Sequence, residues 1–166
     1  STVERETGLA SERSRLAAVF VNRFKQGIRL GSDPTVIYGV SHDEPLGRGL
    51  TRAELDAWTP WNTYQIDKLP VTPIANPGKA ALQATLNPAK TGDLYFVADG
   101  TGGHVFAETY ELHQKNVAKL RALEQNAATA ATPAADPPAA HPAAVLEPPT
   151  APAHKPAPRA KHPVRH

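Results

Sequence analysis

The positions of glycine and aromatic residues divide this chain of 166 residues into two parts. All 11 glycines and every Phe, Tyr and Trp precede residue 126. Residues 126–166 instead hold 14 Ala, 10 of the 17 Pro and four of the seven His. A segment with no aromatic side chains and only three larger aliphatic ones, Val145, Leu146 and Val164, cannot bury enough surface to offset its conformational entropy. We therefore predict one folded domain over residues 1–125 and a disordered Ala/Pro/His-rich tail over residues 126–166.

Charge follows the same division. Residues 1–125 carry 14 Lys and Arg against 14 Asp and Glu, so the net charge of +2 comes from the tail. A neutral domain lacks the clustered cations that phosphate binding needs, and we expect no nucleic-acid partner. The chain has no Cys, and its tail histidines are irregularly spaced, so we expect no disulfide, no metal site and no cofactor. No apolar run approaches the roughly 18 residues of a membrane span.

Local patterns in the first part of the domain predict helices. The segment from Val3 to Thr7 is typical of a helix end, with Gly8 in the left-handed position that follows the cap. A second helix is predicted after an N-cap at Ser11 and before a stop at Gly27. Its apolar stripe repeats near helical spacing and consists of Leu16, Val19, Phe20, Val21, Phe24 and Ile28.

The rest of the domain is predicted to add short helices and one hairpin, which gives a mainly helical α+β fold. The loop-rich stretch from residue 31 to 77 contains helix starts at Pro34 and at the capping box that begins at Thr51. A further helix is predicted from Asn76-Pro77 to Leu86. Two alternating segments, residues 94–98 and 104–107, flank a Gly-rich turn and indicate a β-hairpin, with a last helix from about residue 109.

Carboxylates and polar loops are the candidates for chemistry. The chain contains no Gly-x-Ser-x-Gly, no Walker-type loop, no His-Glu-x-x-His and no dinucleotide motif. Glu4 and Glu6 are two residues apart, so on a helix their side chains point about 200° apart and cannot both face one cleft. One of them is a candidate acid and the other is expected to face solvent. The spacing leaves open which residue has which role.

A series of short motifs runs in fixed order from residue 1 to about 120. The motifs are Val3-Glu4-Arg5-Glu6-Thr7, Ala10-Ser11-Glu12-Arg13, Val19-Phe20-Val21-Asn22-Arg23, Gly27-Ile28-Arg29-Leu30, Ser32-Asp33-Pro34-Thr35-Val36-Ile37-Tyr38-Gly39, Trp61-Asn62-Thr63-Tyr64, Leu69-Pro70, Pro73-Ile74-Ala75-Asn76-Pro77-Gly78, Asn87-Pro88-Ala89-Lys90, Leu94-Tyr95-Phe96-Val97-Ala98-Asp99-Gly100 and Gly103-His104-Val105-Phe106. Together they resemble the MltG-like (YceG-like) endolytic murein transglycosylase family.

The resemblance implies a lysozyme-like, lytic-transglycosylase-like catalytic domain. Such a lyase cleaves the MurNAc-β-1,4-GlcNAc bond of peptidoglycan with formation of a 1,6-anhydromuramyl end, and so terminates or trims nascent glycan strands. One glutamic acid protonates the leaving oxygen and, once ionised, takes the proton of the muramyl 6-hydroxyl. These enzymes place it before Ser or Thr at a helix end, which favours Glu6 over Glu4. A carboxyl that begins protonated needs a partly desolvated cleft.

The polar loops supply candidate substrate-binding residues with amide, hydroxyl, phenol and stacking groups. They are Asp33, Thr35, Tyr38, Trp61, Asn62, Thr63, Tyr64 and Asn76. Asp33 and Asn76 could equally cap the turn and the helix that follow them. The family is expected to carry Tyr where this chain has Trp61, which keeps stacking and removes a hydroxyl. His104, after two glycines, is expected to be structural.

The resemblance also implies a cellular setting. Relatives carry a transmembrane helix and a LysM-like domain before the catalytic part, so we expect a C-terminal fragment of a protein at the periplasmic face of the bacterial inner membrane. Expected partners are peptidoglycan glycan strands and, beyond them, penicillin-binding peptidoglycan synthases. Two alternatives stay open. One is a non-catalytic glycan- or synthase-binding module, and the other is a hydrolytic, lysozyme-like enzyme for which Asp33 is the obvious second carboxylate.

Overall fold

The computed structural model describes residues 1–42 and 44–130. Helices and a two-stranded antiparallel sheet make up this part of the chain, which confirms the α+β class. None of the described helices is long and apolar enough to cross a membrane. The tail predicted to be disordered lies, beyond residue 130, outside the described residues. The elements are α1 (Thr2–Glu6), α2 (Arg13–Lys25), α3 (Asp33–Ser41), α4 (Arg52–Asp56), α5 (Lys79–Leu86), β1 (Tyr95–Ala98), β2 (His104–Ala107) and α6 (Tyr110–Ala130).

The core lies where α2 meets α5 and the hairpin. Helix α1 packs against α2, α3 and α5, and α6 covers the strands. Small residues on α5 let it approach α2 closely. The buried apolar side chains of this cluster are Val3, Leu16, Ala17, Val19, Phe20, Leu30, Ala81, Ala84, Tyr95, Phe96, Phe106 and Ala107.

The apolar stripe of α2 differs from the prediction at its last turn. Phe24 is 54% exposed, so its assignment to the buried stripe was wrong. Helical spacing from Leu16 and Phe20 leads to position 23, and there Arg23 is buried instead. Its guanidinium donates to the carbonyls of Arg29 (2.7 Å) and Leu94 (2.9 Å), which makes the burial of this cation tolerable.

Two predicted helix starts were wrong by one and by two residues, and each observed N-cap has a long-range contact. The N-cap of α2 is Glu12 rather than Ser11, and the Glu12 carboxylate accepts from the backbone N–H of His104 (2.8 Å) and contacts its Nδ1 (2.8 Å). The N-cap of α5 is Gly78 rather than Asn76, and the N–H of Gly78 donates to the carboxylate of Glu4. The Glu12 contact also gives His104 a structural partner.

The helix end at Thr7 also departs from the prediction. Thr7 has extended backbone (φ −143°, ψ 136°), and Gly8 does not take the left-handed conformation. The local signals at Pro34, at the Thr51 capping box and at the hairpin are confirmed, with Tyr95 opposite Ala107 in the sheet. The last helix continues to residue 130, past the predicted domain boundary at residue 125.

Close packing of α3 against the segment before Trp61 depends on Gly39. A Cβ at Gly39 would lie 2.6 Å from Oγ1 of Thr59, which is shorter than real contacts. That hydroxyl oxygen is itself fixed, because it accepts from the N–H groups of Trp61 (3.3 Å) and Asn62 (3.0 Å). The segment can therefore reach α3 only where no side chain intervenes.

We expect Gly39→Ala to lower the free energy of unfolding by about 1–2 kcal/mol, although alanine favours helices, because the added methyl group overpacks this contact. Gly8→Ala is the matched control, since its Cβ would meet nothing within 4 Å. The control should be neutral or slightly stabilising. Chemical denaturation of both variants measures the difference, and equal stability of the two would contradict this role of Gly39.

Candidate active site

Glu6 is the last residue of α1, and its side chain is partly buried. The position follows from the packing of this short helix, which is held between α2, α3 and α5. The hydroxyl of Ser32, directly before α3, donates to Oε1 of Glu6 at 2.8 Å. Ser32 itself is fully buried, so the bond joins the end of α1 to a fixed point of the interior.

The environment of Glu6 favours its neutral form. Burial raises the pKa of this carboxyl from the ordinary 4.5 to about 8. The hydrogen bond from Ser32 acts in the opposite direction, and the negative charge of Asp33 adds to the increase. A carboxyl that keeps its proton at neutral pH can donate it to an oxygen leaving group and can afterwards act as a base.

Glu4 has a different partner. Its Oε2 accepts a hydrogen bond from the backbone N–H of Gly78 at 3.0 Å, at the N-cap of α5. A carboxylate at a helix N-terminus is stabilised by the unpaired N–H groups there. Glu4 therefore joins α1 to α5, whereas Glu6 contacts the start of α3.

A buried hydroxyl cluster, formed by Ser32, Thr35 and Thr63, fixes the backbone next to Glu6. The N–H of Ser32 donates to Oγ1 of Thr63 (2.9 Å), and the hydroxyl of Thr35 donates to the carbonyl of Ser32 (2.6 Å). The two threonine hydroxyls lie 2.8 Å apart, and all three residues are fully buried. The sequence predicted substrate contact for Thr35 and Thr63, but this geometry indicates support of Ser32 instead.

Asn62 is also fully buried, which argues against the predicted substrate contact. Its amide nitrogen donates to the carbonyls of Leu55 (3.0 Å) and Ala57 (2.7 Å), and its Oδ1 accepts from the N–H of Tyr64 (2.9 Å). The side chain thus connects the end of α4 to the segment that carries Thr63.

Asp33 and Tyr64 form the second polar pair of the site. The phenol of Tyr64 donates to Oδ1 of Asp33 at 2.8 Å. Burial and the negative charge of Asp33 raise the pKa of Tyr64 well above its usual range, so the phenol stays a donor. Asp33 lies in the first turn of α3, where Ser32 is the N-cap, and its charge suits the helix N-terminus. The carboxylate of Asp33 is thereby held where its negative charge acts on Glu6.

The remaining predicted residues lie nearer the surface. Trp61 and Tyr38 are partly buried and contact each other edge to face, with ring centroids 5.6 Å apart. Asn76 is exposed in the loop before Gly78.

Sequence reasoning did not single out Ser32, whose only signal was its place before Asp33-Pro34. Within residues 1–42 and 44–130, no group of three or more potential metal-ligating side chains was found.

The raised pKa of Glu6 predicts a pH-dependent stability. In the unfolded chain this carboxyl ionises near pH 4.5, whereas in the fold it keeps its proton to about pH 8. The free energy of unfolding should therefore fall as the pH rises between these two values. Glu6→Gln removes the ionisation, and we expect this variant to be more stable than the parent at pH 8 by roughly 2–4 kcal/mol.

This advantage should disappear below pH 4.5, where the carboxyl is protonated in both states. Denaturation curves at a series of pH values measure it. Glu4→Gln is the control, because its amide oxygen can still accept from Gly78. A constant difference between Glu6→Gln and the parent at every pH would contradict the assignment.

The sequence of this chain is similar to a known protein family and to named bacterial enzymes. The model of the YceG-like family matches residues 1–119. An endolytic murein transglycosylase of Bacillus subtilis (strain 168) is 40% identical over 117 residues, which make up 69% of this chain and 31% of that protein. An endolytic murein transglycosylase of Streptococcus pneumoniae (strain D39) is 33% identical over 125 residues, or 72% of this chain and 22% of that protein.

A crystal structure of a YceG-like protein from Listeria monocytogenes is similar in fold, with a TM-score of 0.64 and 37% identity. The similarity covers 69% of this chain and 37% of that one. The chain spans less than a third of the length of the curated relatives it matches, at 31% and 22%. Because the family model matches residues 1–119 of the 166, the chain belongs to the YceG-like family.

Proposed function

We propose that this chain is the catalytic part of an endolytic murein transglycosylase. Its substrate is the glycan strand of peptidoglycan, and the bond cleaved joins C1 of N-acetylmuramic acid to O4 of N-acetylglucosamine. The observation that carries the proposal is the Glu6 carboxyl at the end of α1, whose pKa is raised to about 8. The chain that holds it is 40% identical, over 117 residues, to an endolytic murein transglycosylase. A lysozyme-like arrangement of the helices and the hairpin is part of the proposal.

In the first step Glu6 acts as the acid. Its proton moves to the glycosidic oxygen, the bond from that oxygen to C1 breaks, and positive charge develops at C1 and the ring oxygen. Ser32 holds Oε1 of Glu6 through its hydroxyl, so the other carboxyl oxygen is the one that presents the proton. A protonated carboxyl at neutral pH suits this step.

In the second step the same residue acts as the base. The ionised Glu6 takes the proton of the muramyl 6-hydroxyl while O6 bonds to C1, which closes the 1,6-anhydro ring. No water is consumed, and Glu6 regains its proton for the next cycle. The acetamido group of the substrate can stabilise the cation, as in substrate-assisted glycosidases, so one carboxyl suffices.

Asp33 supports this chemistry through its charge. Its negative charge raises the pKa of Glu6, and the bond from Tyr64 holds the Asp33 carboxylate in place. The same charge would also stabilise the cationic sugar in the transition state. In the alternative hydrolytic reaction Asp33 would instead orient a water molecule, and the product would carry a reducing end.

The other polar residues divide into two groups by burial. Thr35 and Thr63 are fully buried and hold the backbone of Ser32, and the fully buried Asn62 holds the segment that carries Thr63, so we assign all three a positioning role. Tyr38 and Trp61 have surface available for the substrate. We further propose, from the resemblance alone, that the whole protein acts at the periplasmic face of the inner membrane and cooperates with peptidoglycan synthases.

Glu6→Gln should reduce release of 1,6-anhydromuropeptides from purified sacculi by about 10²–10⁴-fold, because an amide can neither donate nor accept the proton. Mass spectrometry of the soluble products measures the release. Glu4→Gln should keep most of the activity, since its oxygen can still accept from Gly78. Full activity of Glu6→Gln would exclude Glu6 as the acid, and a parent protein that releases no anhydro product would favour a non-catalytic binding module.

Ser32→Ala should move the basic limb of the rate profile to higher pH, because the lost hydrogen bond is the contact that lowers the pKa of Glu6. The maximal rate should fall as well, since the carboxyl is less well oriented. Ser41→Ala is the control at the other end of α3, where the Ser41 hydroxyl bonds only the Ile37 carbonyl among the bonds described. An unchanged profile in Ser32→Ala would remove Ser32 from the site.

A further inference from the structure

We infer that Tyr38, His42 and Trp61 form a second sugar-binding subsite, with His42 as a positioning residue that orients Trp61. This inference rests on the proposed function, since its ligand is a glycan strand. The three-ring cluster is closed, because each ring contacts the other two. The centroid distances are 5.3 Å for His42 and Trp61, 5.6 Å for Tyr38 and Trp61, and 5.8 Å for Tyr38 and His42.

The three-ring cluster is connected to the Glu6 site through α3 and the hydrogen bonds of Ser32. Tyr38 belongs to α3, whose N-cap Ser32 bonds Glu6. Trp61 directly precedes the Asn62-Thr63 segment, and Thr63 accepts from the N–H of Ser32. At 1.5 Å per residue, Tyr38 lies about 9 Å and His42 about 15 Å along the helix axis from Ser32. This displacement from the Ser32 end of α3 is longer than one sugar ring, so we place the cluster at a sugar beyond the bond that is cleaved.

His42 ends α3 in an uncommon backbone conformation and presents its ring at the surface. His42 has a left-handed conformation (φ 48°, ψ 46°) and is the one non-glycine residue with positive φ in the described part of the chain. Its N–H donates to the Tyr38 carbonyl (2.9 Å) and so ends α3, a task that glycine performs without strain. What histidine adds is an exposed ring perpendicular (90°) to that of Trp61.

The ring of Trp61 is held from several sides. Its Nε1 donates to Oγ1 of Thr72 at 2.9 Å, and Tyr38 and His42 contact the ring at interplanar angles of 63° and 90°. A ring that is already oriented loses little conformational freedom when it binds a ligand. The apolar C–H face of a pyranose is a suitable partner for such a surface, while its hydroxyls stay in water.

The subsite would add binding energy only for strands long enough to span from Glu6 to the three-ring cluster. Short fragments that occupy the Glu6 site alone would gain nothing from it. The structure thus assigns to His42 and Trp61 a role in the preference for long strands. Long strands are the substrate of an enzyme that cuts within them.

Calorimetric titration with β-1,4-linked GlcNAc oligomers tests the subsite without turnover. We expect the parent protein to bind a hexamer more tightly than a dimer. His42→Gly should weaken hexamer binding by roughly 2–10-fold, the range expected for losing one aromatic contact, and leave dimer binding unchanged. Because glycine relieves the left-handed backbone, the melting temperature of this variant should not fall.

Trp61→Phe should weaken hexamer binding similarly, and Trp58→Ala is the matched control, since Trp58 is 70% exposed and lies outside the three-ring cluster. With long glycan strands, His42→Gly should raise KM and leave kcat unchanged. The inference is overturned if the hexamer binds no better than the dimer, if His42→Gly binds it as tightly as the parent, or if Trp58→Ala loses as much. Failure of the proposed function shows separately, as an absence of anhydro products from sacculi.

Discussion

The site depends on three hydroxyl side chains that have no access to water. Ser32, Thr35 and Thr63 are fully buried, so their polar atoms must bond to protein groups or destabilise the fold. They bond to one another's side chains and backbone, and this joins the start of α3 to the segment after Trp61. The position of the Ser32 hydroxyl against Glu6, and the spacing between Glu6 and the three-ring cluster, both follow from this junction.

Two carboxyls with different environments belong to the candidate active site. Glu6 is neutral near pH 7 because burial opposes its ionisation, while Asp33 accepts from the Tyr64 phenol. Burial of Glu6 thus provides an acid, and the Asp33 carboxylate provides a negative charge that acts on it. Glu6 is the member of this pair that lies on α1. Glu4, the other glutamate of that helix, instead accepts a hydrogen bond at the N-cap of α5.

Features set by neighbouring residues could be predicted from the sequence, and features set by distant ones could not. The capping box at Thr51 and the hairpin turn follow from local chemistry, and both were correct. The start of α5 depends on Glu4, which is 74 residues from Gly78, and the burial of Arg23 depends on carbonyls of other segments. Glu6 was found through a family resemblance, but its partner Ser32 is 26 residues away, and no local pattern links the two.

In the proposed mechanism Glu6 serves as acid and then as base, so no water enters the product. Digestion of sacculi in H₂¹⁸O, followed by mass spectrometry of the released strand ends, tests this most directly. We expect anhydromuramyl ends that contain no ¹⁸O, because the oxygen bonded to C1 comes from the substrate's own 6-hydroxyl. Reducing ends that carry one ¹⁸O would contradict it and would indicate hydrolysis with a water molecule oriented by Asp33.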